Sequence, residues 1–146
     1  MKLEIIDNSK SIYKFNKNYF LAVASTISNI ENHGFNYINI IFTNDKDMRL
    51  LKNIYFNQDY YTDIISFNLE EPNDLIEGEL YIGINQIYKN SIKFNCNINS
   101  ELKRIFIHGV LHLVGYDDQT QADKKNMTKL EDKYIALHDD VILIKT

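Results

Sequence analysis

The sequence predicts an α/β or α+β fold in which a single mixed sheet of about four strands carries helices packed over it. Three observations carry this expectation. Strand-like apolar runs and runs of helical period alternate in the order βαβαββααα. With 146 residues, 45% of them hydrophobic, the chain can bury one core without disulfide or metal staples. One proline and five glycines, with no repeat or low-complexity tract, leave no linker, so residues 1–146 read as one domain.

Each element has its own signal. Leu3 to Ile6 reads as a short strand. From about Tyr13 to Asn32 the residues Phe20, Leu21, Val23, Ala24, Ile27 and Ile30 recur at helical spacing, and Gly34 marks the end. Tyr37 to Phe42 is a β-branched and aromatic run, after which Asn44 can cap a helix reaching about Phe56. Thr62 to Leu69 and Glu79 to Ile84 are two further strands, separated by a loop holding Pro72 and Gly78, where glycine would serve the turn. A short helix follows near Gln86 to Phe94. Ser100 caps a helix that ends at Gly115, and Thr120 with Asp123 forms a variant capping box for a last helix to about His138.

The helix ending at Gly115 carries the most informative stretch, HGVLHLVGYDD, at residues 108–118. His108 and His112 are four apart, so both imidazoles leave one helix face about one turn, roughly 6 Å, from each other. Ile105, Phe106, Leu111, Leu113 and Val114 make this helix apolar on several sides, and an imidazole beside a core needs a partner. The turn after Gly115 can bring an acid, Asp118 or Asp117, back toward the histidines as a third ligand. Two imidazoles and one carboxylate leave the fourth position of a tetrahedral ion open, as in catalytic zinc sites, at the end of the histidine helix.

Composition bounds the function. No apolar run is long enough to span a bilayer, and MKLEIIDNSK lacks the pattern of a secretory signal. The single cysteine, Cys96, has no internal partner, which fits a reducing cytoplasm, and it reads as incidental. Sixteen basic and twenty acidic residues give a net charge of −4, so a polyanion must meet a local basic patch. Lys103 and Arg104, Lys124 and Lys125, and Arg49 with Lys52 are the candidates. His33 and His138 lie outside any ligand spacing.

With YYTDIISFNLE upstream and GELYIGIN between them, HGVLHLVGYDD resembles the YbeY family of metal-dependent single-strand endoribonucleases of bacterial ribosomal RNA maturation. The resemblance covers nearly the whole chain. In that family two histidines four apart, a glycine, then Tyr-Asp-His bind zinc through three histidines. His108 and His112 match the first two ligands, and Gly115, Tyr116 and Asp117 match the intervening residues, but the third ligand position is Asp118. Thr62, Asp63 and Ser66 match a strand motif that borders the family's cleft, and Gly78 with Glu79 match a segment before another strand. Where members carry an arginine to hold phosphate, this chain has Phe56. The ligand spacing also resembles that of metzincin proteases, which need a glutamate directly after the first histidine; here that residue is Gly109.

The resemblance implies a hydrolase that takes one zinc ion per chain on His108, His112 and Asp118 and cuts single-stranded RNA, an rRNA precursor, with the ribosome or its proteins as partners. A second implication is a ribosome-associated factor whose metal is structural. The ion would polarise a phosphoryl oxygen, and either activated water or a ribose 2′-hydroxyl would attack. Asp117 is the candidate to orient a ligand. Lys103, Arg104, Lys124, Lys125, Thr62 and Ser66 are the candidate substrate contacts, and Tyr60, Tyr61 and Tyr116 are the candidates for stacking on bases.

Overall fold

The computed structural model describes residues 1–58, 62–69, 74–140 and 142–145, with the backbone path alone for 143–145. The first half runs β1 (Lys2–Asp7), β2 (Tyr13–Phe15), α1 (Lys17–Glu31), β3 (Phe35–Thr43), α2 (Asp45–Phe56) and β4 (Ile64–Asn68). The second half runs β5 (Ile76–Gly83), α3 (Ile84–Lys93), α4 (Ile98–Leu113), α5 (Gln121–Leu137) and β6 (Leu143–Lys145). The expected mixed sheet forms in the order β1-β3-β5-β4, with β1, β3 and β5 parallel and β4 antiparallel to β5 at the edge.

The apolar run of β3 makes it a central strand, and Ile38, Ile40 and Phe42 are fully buried. β5 alternates instead: Ile76, Leu80 and Ile82 face the core while Glu77, Glu79 and Tyr81 are half-exposed on the other side. Helices α1 and α4 cover the core face. Phe20 of α1 joins them to the sheet, meeting Phe106 of α4 edge-on at 4.8 Å and Phe42 of β3 at 6.2 Å.

Two glycines set how closely α4 approaches the sheet. A Cβ on Gly109 would lie 2.6 Å from Ile64 Cδ1 and 3.1 Å from Leu80 Cδ2, and one on Gly78 would lie 2.6 Å from Leu113 Cδ1. Gly78 therefore lies inside β5, paired with Ile38 and Asn68, and not in the turn expected from the sequence. Its lack of a side chain makes room for the end of α4.

Other boundaries also move. Helix α1 begins at Lys17, four residues after the expected start, because Tyr13–Phe15 pairs antiparallel with β6, a strand the helical periodicity conceals. The Phe15 ring stacks on Phe42 at 3.7 Å, which anchors this small sheet to the large one. The cap of α4 is Asn97, whose side chain accepts the Ser100 N–H, so Ser100 is the third residue of the helix and not its cap. The capping box of Thr120 and Asp123 forms as expected. Pro72 lies outside the described residues.

Glu31, the last residue of α1, accepts hydrogen bonds from Tyr116 Oη at 2.5 Å and from Tyr134 Oη, tying α1 to α5 and to the turn after α4. Burial pushes its pKa up, but the two tyrosine hydrogen bonds, helped by Lys133 and His33, outweigh that and hold it below the ordinary glutamate value. A carboxyl lowered in the folded state stabilises fully above its unfolded pKa, and that contribution disappears as pH falls through the folded value. Glu31→Gln is expected to flatten the acid limb of the Tm-against-pH curve, and identical acid limbs for the two proteins would refute this account.

Candidate metal centre

His108 and His112 project from one face of α4, each with about a quarter of its side chain exposed, and their Nε2 atoms lie 3.0 Å apart. After Leu113 the chain reverses: Gly115 adopts φ +107°, its N–H donates to His112 O, and the Tyr116 N–H donates to Leu111 O. No atom lies within 4 Å of a Cβ placed on Gly115, so the backbone angle, not space, requires glycine there. The reversal returns Asp118, whose Oδ2 lies 3.2 Å from His108 Nε2 and 3.4 Å from His112 Nε2.

The outer ring nitrogens are committed. His112 Nδ1 lies 2.9 Å from the Tyr116 carbonyl, which can only accept, so this nitrogen carries the proton. His108 Nδ1 lies 2.7 Å from Glu131 Oε2, and the other oxygen of Glu131 accepts from Arg104 at 2.9 Å. With both rings neutral, two Nε2 lone pairs and a carboxylate oxygen converge with no proton among them. Such an arrangement needs a cation. For ligands about 2.0–2.1 Å from a tetrahedral ion the edges are about 3.3–3.4 Å, close to the three distances found. Among the described residues these are the only three His, Cys, Asp or Glu side chains so clustered.

In the absence of an ion, a proton can take its place. Burial lowers the pKa of His108, but the hydrogen bond and charge of Glu131, with Asp118 and Asp63, outweigh it and raise the value. The same carboxylates that attract a proton strengthen the ring as a metal ligand.

The ligands open into a cleft of about 410 Å³. Thr62, Asp63 and Ser66 line it as expected, together with Lys52 and Phe56 from α2. Asp63 accepts from Asn90 at 3.1 Å, and burial raises its pKa against the opposing charge of His108. The basic residues favoured by the sequence lie elsewhere. Arg104 is bound to Glu131 and Asp132, Lys103 sits over the Tyr19 ring, and neither lines the cleft. Lys124 and Lys125 border a separate hollow along α5 that shares no lining residue with it. Among the described residues, Lys52 is the lysine that lines the cleft. Asp117 accepts the Asp118 N–H at 2.8 Å, so it steadies the backbone at Asp118, while the rings are oriented by Glu131 and the Tyr116 carbonyl. Tyr116 has its hydroxyl on Glu31, and Tyr60 and Tyr61 lie outside the described residues.

Glu131 is the residue the sequence reading missed. A signal exists: Met127, Glu131 and Tyr134 form the buried stripe of α5, and a glutamate among core positions demands a partner.

Residues 4–138 match the model of the family described as Endoribonuclease YbeY. The Endoribonuclease YbeY of Karelsulcia muelleri is 39% identical over 121 residues, which is 83% of this chain and 85% of that protein. That of Cytophaga hutchinsonii is 34% identical over 113 residues, 77% of this chain and 79% of that protein. A Thermotoga maritima protein solved in solution has a similar fold, with a TM-score of 0.60 at 26% identity over 91% of this chain and 86% of that one.

Two ligand tests follow from the geometry. Glu131→Gln is expected to weaken metal affinity by about 10–100-fold, read by competition with a chromophoric chelator. Asp118→His should keep the metal and Asp118→Ala should weaken it; equal metal content in the two variants would remove Asp118 from the ligand set.

Proposed function

The chain belongs to the YbeY endoribonuclease family, and on that premise we propose that it is a zinc-dependent endoribonuclease cutting single-stranded RNA during ribosomal RNA maturation in the cytoplasm. The observation that carries the metal dependence is the convergence of His108 Nε2, His112 Nε2 and Asp118 Oδ2 with no proton of their own when both rings are neutral. No described helix is long and apolar enough to cross a membrane.

Electrostatics couples the metal to the substrate. Among the described residues the cleft lining has one lysine, Lys52, and two aspartates, Asp63 and Asp118, so with neutral histidines these contribute +1 − 2 = −1. A divalent ion turns this to +1, and only then does the cleft attract a phosphodiester. When bound, the ion supplies Lewis-acid polarisation of a phosphoryl oxygen and lowers the pKa of water. Glu131 and the Tyr116 carbonyl keep the Nδ1 protons in place, so both Nε2 atoms stay available as ligands. Lys52 offsets charge on the phosphate, and the Thr62 and Ser66 hydroxyls face the same space as hydrogen-bond partners.

Proteolysis is a poor fit. A metzincin needs its general base at position 109, where a Cβ would come within 2.6 Å of Ile64, 3.1 Å of Leu80 and 3.3 Å of Ser66, closer than van der Waals contact, on the sheet side of α4. A glutamate there would be driven into the core and away from the ligands.

Purified protein is expected to hold about one equivalent of zinc per chain and to cut single-stranded RNA. The His108→Ala, His112→Ala double variant should lose both while keeping its circular dichroism spectrum. Full activity of metal-free wild type would overturn the proposal.

A further inference from the structure

One described aromatic side chain lines the cleft that holds the histidines, and it is part of an aromatic group. Phe56, at the position where the resembling family carries arginine, lines the cleft and is 43% exposed; Tyr55 beside it is 62% exposed. Both rest on Phe67 of the edge strand β4. Phe56 lies nearly parallel to the Phe67 ring, at 6.0 Å between centroids and 21° between planes, and Tyr55 meets Phe67 edge-on at 5.2 Å. Tyr81 of β5 supports Phe67 from below at 5.9 Å. Lys52 lies one helical turn before Phe56, with its Nζ 4.6 Å over the Phe56 ring.

Large rings left exposed on a rigid base, bordering a cleft that needs a cation, match one kind of ligand: a flat, uncharged ring joined to a phosphate. We infer that Phe56, backed by Tyr55 and Phe67, is a stacking seat for a nucleobase of single-stranded RNA next to the phosphodiester at the metal centre, and that Lys52 takes the adjoining phosphate. This rests on the ribonuclease reading. The Lys52 ammonium sits over the exposed Phe56 ring, and a base stacked on that ring brings its phosphate within reach of the ammonium. The two groups divide the contact, the ring taking the base and Lys52 the charge. Paired bases cannot reach such a seat, so it also accounts for a preference for unpaired RNA.

The test uses zinc-loaded protein and a short 2′-O-methyl oligoribonucleotide, with and without an abasic site, followed by fluorescence anisotropy, with the oligonucleotide checked to be intact by gel after each titration. Phe56→Ala and Phe56→Leu are expected to weaken binding of the base-bearing oligonucleotide by about tenfold while leaving the abasic one unchanged, and Phe56→Tyr should bind like wild type. Leucine keeps the apolar packing on Phe67 without a π face, so the inference remains testable if the alanine variant folds poorly. Lys52→Ala should weaken both oligonucleotides and reduce the salt dependence of binding by about one charge. Unchanged binding by Phe56→Leu, or equal losses for the two oligonucleotides, would overturn the stacking seat while leaving the ribonuclease reading intact. A wild type that neither binds nor cuts single-stranded RNA would overturn both.

Discussion

The close approach of α4 to the sheet is the constraint on which the rest of the molecule depends. Gly109 on the helix and Gly78 on β5 remove the two side chains that would hold the layers apart, and Leu113, Ile64 and Leu80 fill the space. With its inner side pressed onto β4 and β5, α4 has a defined rotation about its axis, and His108 and His112 are presented at the edge of the sheet. Strand β4 is that edge, so Thr62, Asp63 and Ser66 share a cleft with the ligands. A packing condition thus fixes the position of a chemical site.

The charges follow the same logic. Glu131 is buried at the contact between α4 and α5, where a carboxylate alone would be costly, and it is bound on one side by Arg104 and on the other by His108. Arg104 is therefore a member of the scaffold that holds the Glu131 carboxylate in place and, through it, keeps the His108 ring oriented. The guanidinium of the histidine helix is thereby committed to two carboxylates and does not line the cleft. The lysine on the cleft comes from α2, whose Asn44 cap sets where the helix begins and hence where Lys52 and Phe56 fall.

Legibility varied with the range of the forces involved. The strands β1, β3 and β4 and the helices α2, α3 and α5 came within a few residues of their positions because periodicity and caps act over one or two turns. The start of α1 was misplaced because Tyr13 and Phe15 fit a helical pattern, and only pairing with residues more than a hundred positions away makes them a strand. Asn97 was passed over for Ser100 because both are good caps, and the choice depends on where the preceding chain from α3 arrives. Gly78 read as a turn residue because its actual requirement, room for Leu113, is a contact between distant segments.

The His108, His112 and Asp118 cluster was legible in the sequence alone, since eleven residues contain all its parts: two histidines one turn apart, a glycine able to take a positive φ, and an acid within reach of the returning chain. The fold class was determined likewise, by the alternation of periods along the chain. The tertiary structure decided the surroundings of this cluster: Glu131 behind His108, Lys52 and Phe56 in the same cleft, and Lys124 and Lys125 away from it. The physical reason is that backbone geometry ties neighbours in sequence to neighbours in space over a few residues only. Beyond that, the packing of α2, α4 and α5 on one sheet selects which charges meet.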